Sequence, residues 1–377
     1  MHDSHRRSLK ALEHRRRLRT LIPRRGLDFS SNDYLGLAES DALRAAGVAA
    51  LERGVPVGAG GSRLLRGNHP EHEMLEQEAA RYFGSEAALF FGGGFAANTA
   101  LFATLPERGD LIIYDALIHA SVRDGMAMSR AEHRTFVHND ADSAEAIALA
   151  WRKAGGTGAI WIAAESLYSM DGDCAPLGAL HEVAKRHDGV LVIDEAHATG
   201  VLGNDGRGLG AALEGRDNVV ALHTCGKALG VSGALITLPR VLADYMVNRA
   251  RPFIYATAPS PLVAAVVRAA LNIVGTQPEL RRRHGALVGH TGAALSAACR
   301  CPITGTHIQP ILLKHDEKAL AAAHQLAAAG FDVRAVRPPT VPEGTSRLRI
   351  SLTLNVTEND VTRLAETLAP LVREAAA

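Results

Sequence analysis

A lysine and an aspartate carry the first chemical signal in this chain. Lys227 lies in His223-Thr224-Cys225-Gly226-Lys227-Ala228-Leu229-Gly230, directly after the apolar run Val219-Val220-Ala221-Leu222. Asp194 lies upstream in Asp194-Glu195-Ala196-His197, after the run Val190-Leu191-Val192-Ile193. Short β-branched runs of this kind read as buried strands, and open α/β sheets collect their chemistry at strand ends. An amine and an acid on neighbouring strand ends suit pyridoxal phosphate (PLP). The amine bonds the aldehyde carbon, and the acid keeps the pyridine nitrogen protonated so that the ring can accept electrons.

Other side chains fit around that pair. Gly92-Gly93-Gly94-Phe95-Ala96-Ala97-Asn98 joins a strand to a helix, where glycines expose backbone N–H groups to an anion at the positive helix end. With no Gly at 97 it is not a dinucleotide fingerprint. His119 follows Leu111-Ile112-Ile113-Tyr114-Asp115 and could stack on a planar ring or simply cap a helix. His197 can hydrogen-bond a ring oxygen, and Thr224 can bind phosphate. Arg347 and Arg349 alternate along Arg347-Leu348-Arg349-Ile350. Either guanidinium could clamp an amino-acid carboxylate, and local sequence does not choose between them. Asp194-Glu195-Ala196-His197 also matches the DEAH box of nucleotide-binding ATPases. That reading needs a GxxxxGK[ST] phosphate loop upstream, and there is none.

Strands and helices alternate to position these groups. Apolar runs lie at 87–91, 111–114, 159–163, 190–193, 219–222 and 234–238, with helical patterns at 95–104, 119–129, 143–153 and 177–187. Such alternation implies a mostly parallel sheet with helices on both faces. Further helices are expected over 1–25, 41–53, 70–83, 259–275, 277–298 and 316–329. The last third reads as a small α+β domain. The expected division is 1–40, a leading helix and short strand; 41–270, a large α/β domain; and 271–377, the small domain.

Composition narrows the class. Lys+Arg is 41 against Asp+Glu 40, so no bulk field favours nucleic acid or an anionic membrane. Apolar residues make up 47% of the 377, yet no run is long enough to span a bilayer. Four scattered cysteines point to a reducing, cytoplasmic setting. No HExxH occurs among 17 histidines, and Pro70 interrupts His69-Pro70-Glu71-His72, so no metal site is expected. The one local charge bias is N-terminal, where Arg15, Arg16, Arg17, Arg19, Arg24 and Arg25 crowd together. It reads as a solvated helix with one or two arginines turned toward an anionic ligand.

Taken together, these motifs resemble the α-oxoamine synthases, PLP enzymes of fold type I. The resemblance runs from Ser30-Ser31-Asn32-Asp33-Tyr34-Leu35-Gly36-Leu37 through Gly58-Ala59-Gly60-Gly61-Ser62-Arg63 and Ser169-Met170-Asp171-Gly172-Asp173 to the last strand. It implies a seven-stranded, mostly parallel sheet and an active site formed between two protomers of a homodimer. It makes Lys227 the Schiff-base lysine and Asp194 the pyridinium partner. His119 becomes the stacking group and a substrate contact, and Ser169 and His197 contact the phenolic oxygen. Gly94, Phe95 and Thr224 contact the cofactor or its phosphate, and Thr257 reaches the neighbouring subunit's phosphate. Arg349 and Asn32 bind the amino acid, and Thr340 and Arg19 meet the acyl substrate. Arg337-Pro338-Pro339-Thr340-Val341-Pro342 and Ile308-Gln309-Pro310-Ile311 most resemble the branch that condenses L-alanine, with loss of CO2, onto pimeloyl-CoA or a pimeloyl carrier protein. Members using glycine or serine remain alternatives: 2-amino-3-ketobutyrate ligase, 5-aminolevulinate synthase and serine palmitoyltransferase. So does a non-catalytic partner subunit, against which Lys227, Asp194 and His119 all speak.

Overall fold

Five- and six-residue apolar runs build the spine of the larger of two units. The computed structural model describes residues 2–376. The central sheet has seven strands in the spatial order Ala87–Phe91, Ala234–Leu238, Val219–Thr224, Val190–Asp194, Ile160–Glu165, Leu111–Asp115 and Glu132–Phe136. Ala234–Leu238 runs antiparallel to both neighbours, and every other pairing is parallel. Strands covered by helices on both faces bury every side chain and read as unbroken apolar runs. Ile160–Glu165 and Val219–Thr224 are buried at every position.

The seventh strand, Glu132–Phe136, is absent from the six apolar runs. Its sequence is Glu-His-Arg-Thr-Phe, and only Phe136 is buried. It lies at the sheet edge, where charged side chains guard unpaired backbone groups. A search for buried runs passes over such a strand.

Helix boundaries follow local chemistry. Helix Pro70–Phe83 begins with Pro at its first turn, and His69 and His72 cap it reciprocally. Ser40 caps Asp41–Glu52, and Asp140 caps Ala141–Lys153. The expected helix over 1–25 is shorter: it spans Asp3–His14, and no residue in it is buried. Arg16 then takes a left-handed conformation (φ 55°). With no apolar face to bury, three consecutive arginines gain nothing by prolonging the helix.

The chain divides into a unit of Leu35–Ser169 and Asp173–Arg282, and a unit of Met1–Tyr34, Met170–Gly172 and Arg283–Ala377. The dividing line falls at Arg282/Arg283 rather than 270/271. The leading segment belongs with the C-terminal one because Leu27–Asp28 pairs in parallel with Phe331–Asp332. The smaller unit holds a three-stranded antiparallel sheet of Arg334–Val336, Ser346–Ser351 and Ile308–Lys314. Its own core includes Phe29, Leu287, Leu326, Leu348, Ile350 and Leu368. Among the described residues, no helix is long and apolar enough to cross a membrane.

Candidate active site

The parallel strands of the large unit all end on one edge, and that edge carries the polar residues. A cavity of about 160 Å³ opens there. It is lined by Gly94, Phe95, His119, Asp194, His197, Thr224 and Lys227, each singled out from sequence, together with Asn98, Ser121 and Glu165, which were not.

Asp194 ends its strand and is 6% exposed. Its Oδ2 accepts a hydrogen bond from Asn98 Nδ2 at 2.8 Å, and its Oδ1 accepts the Ala196 N–H at 2.9 Å. The Asn98 amide also donates to Ser121 Oγ at 3.0 Å. Ser121 Oγ lies 2.7 Å from His119 Nδ1, and the Ser121 backbone N–H donates to that same nitrogen at 3.2 Å. A backbone N–H can only donate, so Nδ1 accepts and the imidazole proton sits on Nε2. Burial holds His119 below the usual histidine range; Lys227 acts in the same direction and Asp194 opposes it. His119 therefore presents a neutral, flat ring at the N-terminus of helix Ala120–Met128, edge-on to Phe95 at 6.5 Å between centroids.

Lys227 Nζ lies 2.6 Å from His197 Nε2. Both follow strand ends, at the same edge as Asp194. Thr224 Oγ1 donates to the Gly233 carbonyl at 3.4 Å. A Cβ built on Gly94 would meet Thr224 Oγ1 at 3.3 Å, so glycine lets the helix start Gly94–Thr104 approach the end of strand Val219–Thr224. Ser169 does not line the cavity. Its N–H donates to Glu165 Oε2 at 3.3 Å, which ties its loop to the cavity wall. Thr257 is exposed, on the loop between helices Arg251–Ile254 and Pro261–Thr276, and is not among the residues lining the cavity.

Glu195, the acidic neighbour of Asp194, is consumed by structure. Fully buried, it accepts the Leu209 and Gly210 N–H groups and the Ser166 hydroxyl. Burial pushes its carboxyl up to about 7. It serves a turn, as a metal-binding acid of an ATPase would not. Beyond the cavity, His138 bridges Asp115 and Asp173, each at 2.8 Å from a different ring nitrogen. Both nitrogens can donate only as imidazolium. Burial works against that charge, but the two carboxylates overcome it and raise the group to about 10.

In the smaller unit the two arginines meet different partners. Arg347 is spent on Asp171 Oδ1 at 2.5 Å and on the Met170 and Thr345 carbonyls. Arg349 donates to the neutral oxygens of Asn32 (3.0 Å), Tyr34 (3.5 Å) and Ser351 (2.5 Å). Those contacts hold the guanidinium in place. In the same unit Arg19 Nη2 donates to Thr340 Oγ1 at 3.1 Å, beside a pocket of about 180 Å³ that Arg17 and Arg337 also line. Arg17 is pinned by Asp316 and Glu343.

Asn98 and Glu165 left traces in sequence. Asn98 closes the glycine-rich motif, and Glu165 ends a buried strand just as Asp194 does. Their partners come from elements far along the chain, and that is why neither stood out.

Known proteins resemble this chain in sequence and in fold. Residues 24–368 match the family Aminotransferase class I and II. An 8-amino-7-oxononanoate synthase of Chromobacterium violaceum is 43% identical over 331 residues, 86% of this chain and 84% of that one. A solved structure of SPT with PLP superposes with TM-score 0.84 at 28% identity, covering 92% of this chain and 87% of that chain. The 8-amino-7-oxononanoate synthase of Francisella tularensis superposes with TM-score 0.78 at 27% identity, covering 93% and 99%.

Proposed function

Because the chain belongs to the aminotransferase class I and II family and, within it, to the 8-amino-7-oxononanoate synthases, PLP-dependent acyltransferases of biotin synthesis, we propose that it condenses L-alanine with a pimeloyl thioester at the cavity around Lys227. The products are 8-amino-7-oxononanoate, CO2 and a free thiol. When bound, PLP supplies an electron sink next to the Cα of the amino acid.

The residues present suit that group. Lys227 offers the amine, Asp194 a buried acid, and the Gly94 and Phe95 backbone with Thr224 a seat for phosphate at a helix start. His119 offers a neutral ring face, and His197 and Ser169 offer donors for the phenolic oxygen. Thr257, exposed on its loop, would serve the cavity of a second protomer in a homodimer.

Each residue has its own task in this reading. Asp194, steadied by Asn98 and the Ala196 N–H, keeps the pyridine nitrogen protonated. Lys227 takes the Cα proton of alanine, with His197 2.6 Å away to orient its amine. Arg349, aimed by Asn32, Tyr34 and Ser351, holds the alanine carboxylate so that the bond to be broken is correctly oriented. Arg19 and Thr340 meet the acyl substrate. A bond forms between alanine Cα and the pimeloyl carbonyl carbon. The C–S bond breaks, the thiol leaves with a proton, the alanine carboxylate departs as CO2, and the carbon it leaves takes up a proton in its place. Four unpaired cysteines suit a reducing cytoplasm.

One observation carries the reading: Lys227, Asp194 and His119 line the same cavity. The test is Lys227→Ala with L-alanine and pimeloyl-CoA, following PLP absorbance and product. We expect loss of the lysine-dependent absorbance and of turnover by several orders of magnitude. Wild-type turnover in the variant ends the proposal. Competition among L-alanine, glycine and L-serine in a thiol-release assay separates it from its nearest alternatives.

A further inference from the structure

Asp194 has a neighbour that this reaction leaves unexplained. Glu165 ends the adjacent strand and is the register partner of Asp194. It lines the same cavity and is 3% exposed. Its Oε2 accepts the Ser169 N–H at 3.3 Å, whereas its Oε1 is buried without a hydrogen-bond partner. An ionised carboxylate held that way lacks donors for half its charge, and burial makes that costly. Asp194 beside it has one donor on each oxygen. Of two adjacent buried carboxyls, burial bears harder on the one with the poorer set of donors.

We propose, on the premise that the cavity takes PLP, that Glu165 is the site's neutral carboxylic acid: a positioning residue that keeps its proton so that Asp194 alone of the pair is charged. The groups around it act as follows. Burial is the largest influence and, with the charges of Asp194 on one neighbouring strand and Asp115 on the other, raises the carboxyl to about 8. Lys227 and the Ser169 N–H pull the other way. Tyr168 flanks it in sequence, and the His138 imidazolium is paired with Asp115.

The proton has a use. A charged Glu165 would place a second anion beside Asp194 and would hold Lys227 as an ammonium ion. Both effects oppose a cofactor that carries a phosphate and needs the free amine. The neutral acid instead offers an O–H donor from a wall of the cavity.

Two measurements test this. In apoprotein labelled with 13C at the glutamate carboxyls, NMR should show two glutamates titrating far above the ordinary range, near 8 and 7. The one near 8 should vanish in Glu165→Gln, leaving that of Glu195. Fewer than two such resonances in the wild type overturns the proposal without recourse to any variant. Second, PLP affinity should weaken in the wild type above pH 8, approaching tenfold per pH unit beyond the dependence shown by Glu165→Gln. Identical pH dependence in both proteins overturns it as well. Failure of either protein to bind PLP would instead sink the reading of the cavity, and the apoprotein titration would still decide the state of Glu165.

Discussion

Two regions of this molecule solve the problem of buried charge in opposite ways. At the edge of the parallel sheet, Asp194 and Glu165 come together by strand register with unequal sets of donors, and the proposed proton on Glu165 answers that inequality. In the small unit, Arg347 and Arg349 share one face of Ser346–Ser351 and are 5% and 7% exposed. Neither guanidinium can shed its charge, so partners decide their roles. Arg347 meets Asp171, and Arg349 meets Asn32, Tyr34 and Ser351. A titratable pair can be tuned by moving a proton, but an arginine pair can be tuned only by what faces it.

The largest expected effect breaks the arginine half of that contrast. Arg349→Ala should raise the KM for L-alanine by roughly 30-fold to several thousand-fold, the cost of on the order of 2–5 kcal/mol for truncating one partner of a charge pair. Arg347→Ala should leave that KM nearly unchanged and lower the melting temperature instead. Equal loss of alanine affinity in both variants would erase the distinction.

A smaller effect probes the sheet edge. Asn98→Ala removes one of the two donors to Asp194 and unlinks Ser121. A hydrogen bond to a charged group contributes about 1.5–3 kcal/mol, so PLP affinity should fall by roughly 10- to 100-fold. Retained affinity would show that Asp194 needs no such support.

The smallest effect sharpens the rule that partners can outweigh burial. His138 is raised above its unfolded value, so its contribution to stability is complete below pH 6.5 and is lost as pH climbs toward 10. His138→Gln should flatten the fall in stability across that window, measured by urea unfolding at a series of pH values. A wild-type slope in the variant would mean the imidazolium is not what titrates.

Much of this was legible in the sequence. Buried strands of a parallel sheet read as unbroken apolar runs, which is why six of the seven stood out and why the strand-end lysine and aspartate could be paired. The edge strand Glu132–Phe136 escaped because an edge is kept polar. The leading helix was drawn too long because its arginines look helical until Asp316 and Glu343, some three hundred residues away, engage Arg17 beyond its end. Asn98 and Glu165 went unread because their importance lies in what other strands bring to them.

The order of residues alone determined the fold class and the two reactive groups, since burial periodicity and strand-end placement are local properties of a chain. Only the folded arrangement decided which arginine met Asp171, which buried carboxyl was left with one oxygen unpartnered, and which amide joined His119 to Asp194. Donors, acceptors and solvent exclusion are set by neighbours in space, and no stretch of sequence holds them all.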